Sequence, residues 1–147
     1  MKKFRYRFAS LENVRGLELD NLRMELRGAQ QNLEEALDQQ QKLLGELEQS
    51  YDEIARLRAS RGVALLQESL GSYTSLLKRR LQDQAGLIEK RRNELEQVQQ
   101  LVSEKHQETR VLEKHRERQF GAYLQEMERD MQRELDETAG NGSRGSD

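Results

Sequence analysis

A seven-residue repeat of apolar side chains runs through the first third of this chain of 147 residues. The first row consists of Leu19, Leu26, Leu33, Leu47 and Ile54, with the polar Gln40 at its centre. The second row, offset from the first by three residues, consists of Leu22, Ala29, Ala36, Leu43, Ser50 and Leu57. Two such interleaved rows form the seam of a coiled coil. We therefore predict a long helix over about residues 9–58.

The repeat resumes in the second half of the chain as Leu77, Leu81, Ile88, Leu95, Val98 and Val102. It becomes irregular between Lys105 and Arg116, and then returns in a shifted phase as Phe120, Leu124, Met127, Met131 and Leu135. Such a shift is typical of a four-residue stutter, which locally unwinds a supercoil. We predict a second helix over about residues 74–138, with these apolar residues in the coiled-coil core.

Between the two repeats, glycines and serines interrupt the pattern from Ala59 to Tyr73. Glycine destabilises a helix by about 1 kcal/mol relative to alanine, so we place the chain reversal at about 59–73. A short helical or turn segment with Val63, Leu65, Leu66 and Leu70 is expected to bury its apolar side at the tip. The fold class predicted is all-α, a long antiparallel two-helix coiled-coil hairpin that forms a single domain over 1–138. The alternative is a parallel homodimer of one longer rod.

The composition agrees with a long surface-exposed helix rather than with a compact core. Apolar residues make up 34% of the chain and charged residues 35%, and there is no proline or cysteine. The absence of cysteine excludes disulfides and thiolate metal sites. No run approaches the roughly 20 apolar residues of a membrane span. We expect a cytoplasmic monomer, because the two leucine rows can satisfy each other within one chain, and a disordered tail over 139–147.

Catalytic and cofactor motifs are weak. The sequence GNGSRG at Gly140–Gly145 has the spacing of a dinucleotide fingerprint, but no strand precedes it and no helix follows it. His106 and His115 are nine residues apart, whereas metal ligation from one helix favours a spacing of four. We interpret both histidines as solvated. The prediction is a protein that is not an enzyme, with no cofactor, no metal and no small-molecule substrate.

Three basic features indicate a binding role. In MKKFRYRF, the cations Lys3, Arg5 and Arg7 alternate with aromatic residues, and two Lys-Arg-Arg triplets occupy residues 78–80 and 90–92. Cations and aromatics together can hold nucleic acid. The net charge of the chain is -2, however. Docking onto an acidic protein surface is therefore favoured over nucleic acid, and the triplets are interpreted as a solvated helix face.

Two segments resemble the two ends of the flagellar export protein FliJ family. They are FRYRFASLENVRGLELDNLRMEL near the start and VLEKHRERQFGAYLQEMERDMQRELDE near the end. The resemblance implies an antiparallel coiled-coil hairpin that serves the bacterial flagellar type III export apparatus. It further implies a stalk-like role, with partners in a hexameric flagellar export ATPase, a membrane export gate protein and export chaperones. The implied location is cytoplasmic, peripherally associated with the inner membrane at the flagellar base.

The resemblance also implies which residues dock with the ATPase, because it places the paired chain ends inside the ring. The expected docking residues are Lys3, Phe4, Arg5, Arg7, Arg116, Arg118, Arg129 and Arg133. No catalytic residue is required for this role. The alternative function is a structural coiled-coil scaffold that forms a dimer and has no ATPase partner.

Overall fold

The computed structural model describes residues 2–60 and 64–144, with side chains described as far as residue 142. Two helices make up this part of the chain, and it contains no strand: α1 is Ala9–Ala59 and α2 is Ala64–Arg144. The two helices contact each other as a hairpin, which confirms the predicted all-α fold class.

Contacts within the chain cluster into two units, which we describe separately. Unit 1 comprises Met1–Asn21 and Ser103–Asp147, and unit 2 comprises Leu22–Val102. Each unit therefore contains part of α1 and part of α2. The single domain over 1–138 stays a prediction.

Side-chain contacts in unit 2 show that its helices are antiparallel. The hydroxyl oxygens of Ser50 and Thr74 are 2.6 Å apart, and Gln84 Nε2 donates to the backbone carbonyl of Ala36 at 2.7 Å. Moving back along α1 therefore corresponds to moving forward along α2. Both contacts lie at positions of the apolar rows, so the seam predicted from the sequence repeat is where the two helices meet.

The core of unit 2 is a narrow apolar seam. Ala36, Leu43, Leu77 and Ile88 are buried, and Leu77 has no exposed surface at all. The other predicted core residues of this unit are half-buried: Leu22, Leu26, Leu33, Leu47, Ile54, Leu81, Leu95 and Val102. Burying a leucine side chain contributes roughly 1.5 to 3 kcal/mol. The seam thus holds the pair of helices together although most of the surface is polar.

The second helix begins at Ala64 rather than at about residue 74, and Gly71 lies inside it. The cost of about 1 kcal/mol for a helical glycine is smaller than the gain from packing Leu77 against α1. The hydroxyls of Thr74 and Ser75 also donate to the carbonyls of Leu70 and Gly71. Leu65 and Leu66 are exposed, so they do not bury an apolar tip. The expectation for Val63 lies outside the described residues.

At its other end α2 continues to Arg144, so residues 139–144 are helical rather than part of a tail. Once a helix has formed, each added residue gains a backbone hydrogen bond, and no proline ends the run. The hydroxyl of Thr138 also donates to the carbonyl of Glu134 in this last part of α2. Residues 145–147 lie outside the described part of the chain.

The irregular stretch near Lys105 is not a change of phase. Val102, Lys105, Thr109 and Leu112 are all half-buried at the three- and four-residue spacing of the seam. The repeat therefore continues there with polar side chains. A pattern of apolar residues alone skips the polar seam positions Lys105 and Thr109, and it therefore predicts a stutter.

Most of the apolar residues beyond that stretch are not core residues. Phe120, Leu124, Met131 and Leu135 are exposed, whereas Tyr123 and Met127 are half-buried. Helix α1 begins at Ala9, so the chain that lies against this part of α2 is a short non-helical segment. That segment covers less surface than a helix would. The predicted core positions Phe120, Leu124 and Met131 were therefore wrong.

Candidate protein-docking surface

The N-terminal segment, residues 2–8, precedes α1 and packs against α2 within unit 1. Phe4 and Tyr6 are half-buried, whereas Lys3, Arg5 and Arg7 are exposed. The alternation of aromatic and basic residues in MKKFRYRF thus becomes an aromatic side that faces α2 and a basic side that faces solvent.

The first aromatic contact involves Phe4 and two rings of α2. The centroid of Phe4 is 5.1 Å from that of Phe120, in an edge-to-face arrangement, and 5.4 Å from that of Tyr123. The Tyr123 hydroxyl donates a hydrogen bond to the carbonyl of Lys2. Aromatic pairs of this geometry contribute about 0.5 to 1.5 kcal/mol beyond their buried area. These contacts hold the start of the segment on α2.

The second aromatic contact is centred on His115. Its ring centroid is 5.6 Å from those of Tyr6 and Phe8, and its Nδ1 lies 2.8 Å from the Tyr6 hydroxyl. The ring is half-buried, whereas His106 is exposed. The interpretation of both histidines as solvated was therefore wrong for His115, which packs against the segment.

Where α1 begins to pair with α2, the seam of unit 1 is ionic. Lys105 Nζ lies 2.7 Å from Glu18 Oε2 and 3.2 Å from Glu108 Oε2, and Arg15 contacts the same two carboxylates at 3.2 and 3.5 Å. The hydrogen bonds from Lys105 and Arg15 lower the pKa of Glu18 below its usual value. The hydrogen bond to Glu18 raises the pKa of Lys105.

A further ion pair joins the first turn of α1 to α2. Arg116 Nη1 lies 3.2 Å from Glu12 Oε1, and Glu12 Oε2 is buried with no hydrogen-bond partner in the described structure. Arg116 was expected to contact a partner, but its guanidinium holds a largely buried carboxylate of its own chain. Reversing its charge would leave Glu12 facing a like charge, so Arg116 is a poor probe of docking.

The remaining predicted docking residues divide into two groups. Lys3, Phe4, Arg5, Arg129 and Arg133 come together along a groove of about 700 Å³ between the N-terminal segment and α2. Glu126, Asp130 and Glu134 also line this groove, and Arg133 lies 3.9 Å from Asp130. Arg7 and Arg118 are exposed but do not line it. The structure therefore gathers four of the expected cations and leaves Arg7 and Arg118 apart.

Phe4 has a different environment from the cations beside it. It was expected to face a partner, but its ring is half-buried against Phe120 and Tyr123. Sequence analysis missed the role of Tyr6, His115 and Tyr123 in holding the segment. The sequence pattern that could have indicated this packing is the strict alternation of aromatic and basic residues, which is typical of a chain with one packed side.

The chemistry of this surface is that of charge recognition. Among residues 2–60 and 64–144, no group of three or more His, Cys, Asp or Glu side chains is arranged to hold a metal ion. What the surface offers is a group of exposed cations, interspersed with the acids Glu126, Asp130 and Glu134, and exposed cations attract acidic surfaces through long-range electrostatics. Neither helix, over its described residues, includes a stretch long and apolar enough to cross a membrane.

The fold and this surface define a class of protein, the helical hairpin with an exposed charged surface. The family described as "Flagellar FliJ protein" matches residues 4–146, and the chain belongs to this family. It is therefore a protein of flagellum biogenesis and flagellar protein export, in a family of non-catalytic export components. No curated protein matches the chain, and no solved structure does so either.

Proposed function

We propose that this chain is a coiled-coil stalk that docks in the hexameric flagellar export ATPase. In this proposal it also links the ATPase to the membrane export gate protein and to export chaperones, at the cytoplasmic side of the inner membrane. Membership of the FliJ family supports a role in flagellar export. The contacts with ATPase, gate and chaperones are the part that we propose.

The observation that carries the ATPase contact is the two-sided N-terminal segment. Phe4 and Tyr6 attach it to α2, so Lys3, Arg5 and Arg7 are displayed from a chain that is already ordered. A segment fixed before binding loses less conformational entropy when it docks. Cations held in this way increase the rate and specificity of association with an acidic surface.

The seam chemistry is also compatible with a stalk. Helices α1 and α2 satisfy their apolar rows against each other, as Leu43 and Leu77 illustrate, and the outward surface is mostly charged. A rod within a ring needs stiffness along its length and a surface that does not adhere through large apolar patches. Neither requirement calls for a catalytic residue.

The test is a triple charge reversal, Lys3→Glu, Arg5→Glu and Arg7→Glu. Since all three side chains are exposed, the circular dichroism spectrum should not change. Binding to the hexameric export ATPase, stimulation of ATP turnover and swimming motility should all decrease. Binding of the unaltered chain should weaken as salt is added, because salt screens exposed charges.

A matched control reverses three exposed cations of unit 2, Lys42→Glu, Arg80→Glu and Lys90→Glu. It changes the net charge by the same amount and should leave ATPase binding close to that of the unaltered chain. Full stimulation and motility in the folded N-terminal variant would remove the segment from the interface. A scaffold without an ATPase partner would then be the better proposal.

A further inference from the structure

One face of unit 2 carries an apolar row that the hairpin itself does not cover. Leu37, Leu44 and Tyr51 are seven residues apart and each follows a buried seam residue, respectively Ala36, Leu43 and Ser50. Leu37 is half-buried, and Leu44 and Tyr51 are 43% and 45% exposed. Their spacing places all three on one side of α1, next to the seam.

Helix α2 presents small side chains on the same face. Lys78 identifies the face, because its Nζ lies 5.6 Å from the ring centroid of Tyr51. An open, nearly flat patch of α2 on this face is formed by Ser75, Lys78, Arg79, Leu81, Gln82 and Ala85. A Cβ atom built on Gly71 or Gly86 would meet nothing within 4 Å. The face therefore has exposed apolar side chains on α1 and a nearly flat patch with small side chains on α2.

The charges of this face are divided between the helices in the same way. Beside the apolar row, α1 exposes the acidic residues Glu34, Asp38, Glu48 and Asp52. On its part of the face, α2 exposes three cations and one acid, Lys78, Arg79, Arg92 and Glu89. One half of the face is thus acidic beside its apolar row, and the other half is mainly basic.

We propose that a second copy of this chain docks on this face, related to the first by a twofold axis parallel to the helices. Such an axis places α1 of each chain on α2 of the other, as an isologous interface requires. The in-chain pairs Ser50–Thr74 and Tyr51–Lys78 show which residues of α1 and α2 lie at the same level along the helix axes. A twofold axis parallel to the helices keeps each residue at its own level. At those levels Leu44 meets the patch of α2 that contains Ala85.

The same levels bring opposite charges together across the interface. Glu48 of one copy lies opposite Arg79 of the other, and Glu34 lies opposite Arg92. A twofold axis perpendicular to the helices would instead place α1 on α1, with its acidic residues facing each other. Charge complementarity therefore selects the arrangement of unlike helices.

This association differs from the parallel dimer considered from sequence, because the inner seam stays within each chain. It also qualifies the expectation of a monomer, which was based on the inner rows alone. Only three apolar side chains from each copy enter the contact, and small interfaces are weak. We expect a monomer at low concentration and a dimer as the concentration increases.

The experiment is sedimentation equilibrium on the full chain. The average mass should rise from 17.3 kDa toward twice that value over about 10 to 500 µM, the range of a weak interface. Leu44→Glu should keep the mass at that of one chain. Leu101→Glu, which alters a comparably exposed leucine that is 48% exposed, should associate as the unaltered chain does.

A charge exchange tests the arrangement itself. Glu48→Arg alone and Arg79→Glu alone should each dissociate at least tenfold more readily, since each creates two repulsive contacts across the twofold axis. An equimolar mixture of the two variants should form a mixed dimer, because both of its contacts are then attractive. The double variant Glu48→Arg with Arg79→Glu should associate by itself.

Failure of the mixture to associate would overturn the proposal. A constant mass of one chain for the unaltered protein across the whole concentration range would also overturn it. Circular dichroism of every variant should show intact helices, because each of the altered side chains is exposed. The measurement uses no ATPase, so its outcome is independent of the docking proposed above.

Discussion

The hydroxyl of Tyr6 lies 2.8 Å from Nδ1 of His115 and 3.2 Å from the backbone carbonyl of Leu112. A tyrosine hydroxyl has one hydrogen to donate. When it donates to the Leu112 carbonyl, Nδ1 of His115 must carry the hydrogen that completes the second contact. This pair fixes the N-terminal segment on α2 at the point where its backbone leads into α1.

Removing the Tyr6 hydroxyl should loosen the N-terminal segment. Tyr6→Phe keeps the ring but loses both hydrogen bonds, each of which contributes about 1 kcal/mol. We expect the segment to detach several-fold more often and trypsin to cleave faster after Lys3, Arg5 and Arg7. Limited digestion followed by mass spectrometry measures this rate.

The matched control for that experiment is Tyr73→Phe, which alters an exposed tyrosine of unit 2. It should leave cleavage of the N-terminal segment unchanged. Equal cleavage rates for Tyr6→Phe and the unaltered chain would mean that the Tyr6 contacts do not hold the segment.

Leu77 should be the most sensitive apolar position of the seam. It has no exposed surface, so Leu77→Ala leaves a cavity and should lower the free energy of unfolding by about 2 to 5 kcal/mol. Leu76→Ala, at an exposed neighbour, should have a much smaller effect. Urea unfolding followed by circular dichroism compares the two, and equal losses would contradict the seam assignment.

The buried pair Ser50–Thr74 should respond asymmetrically to substitution. Thr74 donates to the Leu70 carbonyl, so its oxygen accepts from Ser50. Ser50→Ala leaves the Thr74 hydroxyl bonded to the Leu70 carbonyl, so it should lower the free energy of unfolding by only about 1 kcal/mol. Thr74→Val leaves the buried Ser50 hydroxyl without this partner. It should lower the free energy of unfolding by more, about 1 to 3 kcal/mol. Thermal unfolding measures both, and the reverse order would contradict this direction of donation.

The ionic seam of unit 1 should lose stability at both extremes of pH. The pKa of Glu18 is lowered from 4.5 by Lys105 and Arg15, so its contribution is present above 4.5 and is lost as the pH falls through the lowered pKa. The pKa of Lys105 is raised from 10.5 by Glu18. Its contribution is present below 10.5 and is lost as the pH rises through the raised pKa.

Hydrogen exchange and thermal unfolding measure the acid side of this effect, with Glu18→Gln as the comparison. Glu18→Gln should weaken hydrogen-exchange protection near Lys105 at neutral pH. It should also remove much of the further loss of protection that acidification causes in the unaltered chain. Added salt should have a similar but smaller effect, because the groups are near the surface. Identical acid profiles for the two proteins would remove Glu18 as the cause.

The sequence predicted the hairpin well because its signal is periodic. A seven-residue repeat specifies which side of a helix is buried, and residues such as Leu43 and Ile88 are buried as that repeat requires. The same reasoning failed in unit 1, because polar residues stand at some of its seam positions. Lys105 and Thr109 keep the spacing, but an apolar pattern does not count them.

Local propensity predicted the start of the second helix about ten residues too late, for a different reason. Gly71 and the serines near it lower helix propensity, yet α2 is helical from Ala64, and Leu70 and Thr74 on either side of Gly71 are half-buried and buried. The candidate docking surface was predicted only in part. Residue types identified the cations, but the attachment of Phe4 and Tyr6 depends on residues more than 100 positions away in the chain.

The contacts across the seam join residues that are progressively more distant in the chain. The separation is 24 residues for Ser50 and Thr74, 48 for Ala36 and Gln84, 87 for Glu18 and Lys105, and 121 for Lys2 and Tyr123. Closing a short loop loses less entropy than closing a long one, and each closed contact shortens the next loop. Folding should therefore proceed as a zipper from the connection outward.

On the ribosome this order leaves the N-terminal segment, which is made before α2, without its partners until residues 112–123 of α2 have been synthesised. During that interval Phe4 and Tyr6 have no α2 surface to pack against.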